Sequence, residues 1–401
     1  MTQTLTTEHT TGRPSGRTLA MLALALGGFG IGTTEFVAMG LLPEMAAGLG
    51  VSEPVAGHVI SAYALGVVVG APAIAALTAR VPRKTLLVAL MVAFTVGNVA
   101  SVLAPTYGSL MVARFVAGLP HGAYFGIAAL VAAHLAEPGR RAKAVATVML
   151  GLSVANVVGV PVATWLGQHL GWRTAFALVA AIGTVTVLSL AAWMPRLDAM
   201  PTSSPITELG ALTRVQVWMT LIMGMVGFGG MFAVYTYIST TLTDVAGLQK
   251  SLIPVALMLY GLGMVVGNVL GGHLADRALL RSLAAAMTFL AVLLAVFAVA
   301  ARTPVVALGL VFLIGLAGAS MVPALQTRLM DVAEDAQNLA AALNHAALNV
   351  ANAFGAWIGG VVIAAGFGYS APAAVGSLLA IAGLGVLGVA VLLERRSSVR
   401  V

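Results

Sequence analysis

Apolar runs of twenty or more residues alternate with short polar stretches from one end of the chain to the other. Twelve can be laid out, at about 18–42, 55–79, 84–104, 110–135, 144–168, 174–195, 214–240, 251–275, 280–300, 304–328, 338–364 and 371–393. At a rise of about 1.5 Å per residue, each is long enough to cross a hydrocarbon core of about 30 Å as one helix. The first run is too long for a secretory leader and continues without a convincing small-residue cleavage site, so it is read as a retained helix. The polar remainder defines a tail at 1–17, a link at 196–213 carrying "MPTSSP", and a second tail at 394–401. The pattern predicts an all-α integral membrane protein with two six-helix bundles, 18–195 and 214–393.

The bundles resemble each other. A constant offset of 197 residues places Gly27, Gly30, Gly32 and Gly50 on Gly224, Gly227, Gly229 and Gly247. It also carries Tyr63, Gly66 and Gly70 onto Tyr260, Gly263 and Gly267, and Phe115 and Gly118 onto Phe312 and Gly315. Glycine is common here, so single matches mean little; one ungapped offset over four helix pairs means more. The reading is two pseudo-symmetric parallel repeats, an arrangement that puts a substrate site between the halves.

Composition strengthens the membrane assignment. The 401 residues are 60% hydrophobic and 8% charged, with mean hydropathy +1.02. A soluble domain carries about 25% charged residues. The absence of cysteine excludes disulfides, thiolate metal sites and cysteine nucleophiles. The net charge of +7 suggests nucleic acid only until its location is considered. With the N-terminus inside, sixteen of the twenty Lys and Arg fall in inner segments and three in outer loops (Arg173, Lys250, Arg302), with Arg114 within a span. That asymmetry predicts a multi-pass inner-membrane protein with both termini cytoplasmic. No basic stripe with aromatic platforms is present, which excludes a nucleic-acid partner.

Against this background two charges stand out. Glu35 lies in "GIGTTEFVAMGLLPEM", roughly 10 Å below the outer end of its helix, and Arg114 lies roughly 8 Å below the same surface. A charge inside a bilayer costs several kcal/mol unless it meets a partner or water, so the cheapest arrangement makes the two neighbours. The pair either locks the first and fourth helices together or carries protons, with Glu35 titrating while Arg114 keeps its charge. The offset puts Phe232 and Val311 opposite them, so only one half is charged. On the fourth helix Arg114, Gly118, His121 and Phe125 share a face. On the eleventh, His345, Asn349 and Asn352 form a polar stripe that either ties helices or lines a cavity. Met39, His121, Tyr124, Phe232, Tyr235, His345 and Asn349 are the candidate substrate contacts. Arg80, Arg83, Asp276 and Arg277, in equivalent inner turns, are either topogenic or a conformational latch. No phosphate-binding glycine loop, nucleophile elbow or metal-spaced histidines occur, so no enzyme activity is expected.

With these residues in view, the chain resembles the major facilitator superfamily over 18–393. Within it, the chain resembles twelve-helix drug/proton antiporters of the chloramphenicol-resistance and arabinose- or sugar-efflux branch. "GTTEFVAMGLLPEMA" carries most of the likeness, with "ARFVAGLPHGA" and "GWRTAF" in support. The chain departs from the family loop pattern at Ala79 and Pro82, and Gly159-Val160-Pro161 replaces a Gly-Pro pair on the fifth helix. The resemblance implies proton-coupled efflux of a small neutral or amphipathic compound by alternating access, with proton-coupled uptake by the same fold as the alternative. The expected partners are a small-molecule substrate, protons and lipid, with the chain a monomer driven by the proton gradient and without a cofactor.

Overall fold

The computed structural model describes residues 16–78, 81–137, 141–197, 210–333 and 336–398. Helices dominate throughout. The first half contains α1 (Gly16–Gly40), the short α2 (Leu42–Leu49), α3 (Glu53–Leu77), α4 (Arg83–Leu103), α5 (Tyr107–Leu135), α6 (Arg141–Val154), α7 (Val160–Leu170) and α8 (Arg173–Trp193). The second half contains α9 (Val215–Thr236), α10 (Ile253–Ala300), α11 (Pro304–Ala333), α12 (Gln337–Val362) and α13 (Ala371–Ser398). Among the described residues eleven helical stretches are long and apolar enough to span a membrane. One of them, 250–300, is 51 residues long and would run about 77 Å if straight, more than twice a bilayer core. It breaks at Ala278 (φ −160°, ψ 79°), where the Ser282 hydroxyl reaches the carbonyl oxygens of Leu274 and Ala278 at 2.6 and 2.8 Å. The two arms are the eighth and ninth spans, which makes twelve crossings.

Two expected spans differ in detail. The first helix stops at Gly40 rather than running to 42, because Pro43 has no N–H to continue the ladder and instead opens α2 at its first turn. Gly50 closes α2 in the left-handed region (φ 66°), and its counterpart Gly247 has φ 71°. The fifth span is α6 and α7 joined by a π-helical turn, Ala155–Gly159, just before Pro161. A proline cannot donate to the preceding turn, and a widened turn accommodates that. The link segment "MPTSSP" and Arg80 lie outside the described residues.

The repeat is visible in the packing. A Cβ on Gly70 would strike the Leu119 carbonyl oxygen, and one on Gly267 would strike that of Leu316, both partners being 197 apart. Gly118 likewise abuts the Tyr63 carbonyl and Gly315 that of Tyr260. These glycines, with Gly66 and Gly263, bring backbones together.

The core is distributed unevenly along the bundle axis. One continuous cluster joins both halves at the end away from the termini, with Phe36, Val37 and Met39 of α1 packed among Phe232, Tyr235 and Leu257, and it runs on through the second half to Ala275, Leu283 and Leu325. At the end near the termini each half keeps its own cluster, around Leu24, Leu87, Tyr124 and Val131 in one and Val217, Leu221 and Leu329 in the other. Polar bonds repeat the pattern. The Lys250 ammonium pairs with Glu44 at 3.0 Å, Thr240 donates to Glu53, and the Ser61 hydroxyl donates to the Ala353 carbonyl at 3.0 Å, all between halves at the far end. Near the termini, Arg17–Glu137 and Arg328–Glu394 stay within their own halves. The bundle is closed at the far end.

Candidate functional site

Arg114 of α5 is completely buried. Its Nη1 donates to Thr34 Oγ1 at 2.8 Å and its Nη2 to the Thr34 carbonyl at 3.0 Å. The guanidinium also lies 4.3 Å from the Tyr63 ring centre and 5.0 Å from that of Phe176. Thr34 Oγ1 donates onward to Asn98 Oδ1 at 2.7 Å, and Asn98 Nδ2 donates to the Phe94 carbonyl at 2.8 Å. Charge-assisted bonds contribute about 1.5–3 kcal/mol each, and a desolvated cation over a ring about 2 kcal/mol, so this nest offsets much of the cost of burial. Phe176 comes from "GWRTAF". In the same motif Arg173 donates to the Ala104 carbonyl at 2.8 Å and stacks over Trp172 at 4.2 Å.

Glu35, one residue along α1 from that anchor, is 7% exposed. The expected direct pairing with Arg114 is not what the structure holds: among the described residues no ion pair joins them. Arg114 turns its donors to Thr34 instead, and the two charges act on each other only through space. The carboxyl faces the seam between halves, with Asn352 of α12 beside it. Asn352 is fully buried, and neither its Nδ2 nor its Oδ1 has a protein hydrogen-bond partner among the described residues.

Around this carboxyl the structure sorts the candidate contacts. Phe36, inside the motif but absent from the sequence-based candidates, stacks on Phe232 (6.5 Å, 10°) and meets Tyr235 edge-on at 5.8 Å. Tyr235 in turn stacks on Tyr260 at 4.0 Å, whose hydroxyl is buried without a hydrogen-bond partner among the described residues. Met39 is buried in the same far-end core. Phe232 and Tyr235 therefore meet the first helix. His121 Nδ1 lies 3.0 Å from the Tyr63 hydroxyl. His345 stacks on Phe125 (5.5 Å, 7°), bringing the fourth-helix face and the eleventh-span stripe together across the seam. Asn349 donates to the His345 carbonyl at 3.0 Å, and its Oδ1 has no hydrogen-bond partner among the described residues.

Two candidate groups sit apart from this cluster. The Tyr124 hydroxyl donates to the Leu24 carbonyl at 2.8 Å inside the first half. Of the inner-turn residues, Asp276 and Arg277 are exposed, and neither they nor Arg83 form an ion pair among the described residues, which do not include Arg80. The sequence reading also counted only two charges well inside the spans. Arg328 of α11 is buried as well (7% exposed), held by Glu394 at 2.8 Å and Gln216 at 3.3 Å.

A helical bundle with one buried carboxylate on the seam between two repeats suits a carrier, and comparison with known proteins decides the family. The family model described as Major Facilitator Superfamily matches residues 24–337 and 250–400. The chain belongs to the Major Facilitator Superfamily. The transporter is 43% identical over 367 residues to the inner membrane transport protein YdhP of Escherichia coli (strain K12), covering 92% of this chain and 94% of that one. It is 35% identical over 370 residues to the putative transporter AraJ of the same organism, covering 92% and 93%. To the chloramphenicol resistance protein of Streptomyces lividans it is 34% identical over 341 residues, covering 84% and 87%. It is a multi-pass membrane transporter and not an enzyme. The part that Thr34, Asn98, Tyr63 and Phe176 play around Arg114 was not legible in the sequence, because each is an ordinary residue on an apolar helix.

Proposed function

We propose that the transporter is a proton-coupled antiporter that exports small neutral or amphipathic compounds, drugs of the chloramphenicol kind or sugars, from the cytoplasm by alternating access. The observation that carries this reading is Glu35: a buried carboxylate, without an ion pair among the described residues, on the seam between two repeats. A carboxylate tied in a tight salt bridge would be held in one protonation state. This one is free to exchange a proton, while Arg114 keeps a fixed positive charge one helix away. Substrate would lie against the flat walls of Phe36, Phe232 and Tyr235, with His345 and Asn349 towards the terminal end. The transporter works as a monomer in the inner membrane, both termini cytoplasmic, on the proton gradient and without a cofactor.

The test is Glu35→Gln. An amide is cheaper in lipid than a carboxylate, so the variant is expected to insert and fold. In vesicles of defined orientation with an imposed pH gradient, uphill chloramphenicol or sugar efflux should vanish while downhill exchange persists. A sensitivity panel in an efflux-deficient host identifies which compound to load. Undiminished pH-driven efflux by a well-expressed Glu35→Gln protein would overturn the proposal.

A further inference from the structure

We infer that the lipid-facing groove between α4 and α5 is a phospholipid site, with the phosphate on Arg173 and one acyl chain along the two helices. The groove lies at the far end of the first half and has a volume of about 390 Å³. Gly97, Ala100, Ala104 and Ala113 give it a floor of small residues, and Val96 and Val112, both exposed, form its rims. A Cβ on Gly97 would strike the Ala117 backbone, so the helices touch there and the groove opens on the far-end side of that contact. From Ala104 to Val96 it runs about 12 Å, less than half of a hydrocarbon core of about 30 Å. It therefore lies within one leaflet.

A groove facing lipid is filled by some tail in any case, because an empty one forfeits dispersion contacts. What makes this one a site is the cation fixed at its mouth. Arg173 Nη2 donates at 2.8 Å to the carbonyl of Ala104, itself a lining residue, and the guanidinium stacks over Trp172. These contacts hold the head still while a hydrogen bond uses only one of its five N–H donors. Among the described residues no carboxylate pairs with it. The planar fork matches phosphate oxygens two at a time, and its fixed position leaves little ordering entropy to lose. Ala104 caps the end of α4, so the half-buried guanidinium stands where headgroups begin.

The second repeat shows that the fold does not demand this opening. At the offset of 197, Gly97, Ala100 and Ala113 fall on Leu294, Phe297 and Leu310, all three buried. Large side chains stand there where the first half keeps small ones. The position matching Arg173 is Ser370. Arg302, opposite Pro105, is an exposed cation at the same level without a floor of small residues beneath it. Small floor and fixed cation thus occur together in one half only. A soluble anion needs no apolar groove, and a partner helix brings no phosphate. A phospholipid uses both.

The full-length protein, purified in detergent and freed of lipid, is titrated with palmitoyl-oleoyl phosphatidylglycerol, and bound lipid is counted by native mass spectrometry. One equivalent should bind well ahead of the rest. Arg173→Gln should weaken that equivalent about tenfold or more, the loss of one charge-assisted bond, while Arg302→Gln should leave it unchanged. Ala100→Phe puts the second half's residue at an exposed position of the groove and should also weaken binding about tenfold or more, with Ala100→Leu in its place if expression is poor. Diacylglycerol with the same chains should bind about tenfold or more weakly than the phospholipid, and excess inorganic phosphate should not displace the lipid. The inference fails if the Ala100 variant holds the first equivalent as the parent does, or if Arg173→Gln loses no more than Arg302→Gln. It fails too if inorganic phosphate displaces the lipid, which would leave an anion site alone. A parent dimer that Ala100→Phe dissolves would seat a second copy in the groove and overturn it as well.

Discussion

Thr34 is the hinge of the buried polar network, and Thr34→Val tests it with almost no change of shape. The hydroxyl does two jobs: it accepts from Arg114 Nη1 at 2.8 Å and donates to Asn98 Oδ1 at 2.7 Å. All three residues are fully buried. Removing it leaves a guanidinium N–H without its acceptor, a loss of about 1.5–3 kcal/mol, and an amide oxygen without its donor, a further 1–3 kcal/mol or so. The bond from Nη2 to the Thr34 carbonyl survives, so the expected total is the sum of these two losses, about 2.5–6 kcal/mol, well above the roughly 1 kcal/mol of an average substitution. Thermal unfolding of the purified protein in detergent, followed by tryptophan fluorescence, should show a drop of several degrees for Thr34→Val and almost none for Thr34→Ser. Asn98→Leu should be less harmful in the Thr34→Val background than in the parent, by about 1 kcal/mol or more, because the orphaned amide is then gone. If Thr34→Val melts with the parent and the double variant is simply additive, Arg114 does not rest on Thr34 and the description of the site is wrong.

Two further predictions separate packing from function. Gly267→Leu should abolish folded expression, because its side chain would drive into the Leu316 backbone, whereas Gly309→Ala, with open space around it, should express normally; size-exclusion profiles of the two decide. Tyr124→Phe should cost about 0.5–1.5 kcal/mol in melting for its lost bond to Leu24 yet leave transport rates unchanged; a transport defect at full stability would return Tyr124 to the pathway.

The spans were legible because lipid demands uninterrupted apolar runs; proline shortened the first at Pro43, a loop-free turn joined the eighth and ninth at Ala278, and the helices of the tenth and twelfth run on past the apolar runs to Ala333 and Ser398. Glu35 and Arg114 were legible as isolated charges at similar depth. Their partners were not. Complementary charge suggested that the two would pair, but the nearest well-placed acceptors for a guanidinium are the hydroxyl and carbonyl of the preceding threonine, and nothing in a linear pattern ranks them. Tyr124 misled for a geometric reason: ten residues beyond Arg114, it sits roughly 80° around the helix from the face shared with His121 and Phe125. Asn352 was visible as the last member of a polar stripe. Its place opposite Glu35 depends on how α12 crosses to the other half, a contact between repeats that a comparison within them does not contain.

The lopsided core has a consequence for traffic. Opening the far end means prising Phe36 from Phe232 and Tyr235 and wetting aromatic surface, at roughly 25 cal/mol for each Å² exposed. Opening at the terminal end separates two cores that are already distinct. On that difference the empty carrier would present its terminal side more often, and a molecule arriving at the far side would meet an apparent affinity lowered by the rarity of that opening. The two faces would then load unequally at equal concentrations, while net flux without a gradient stays zero.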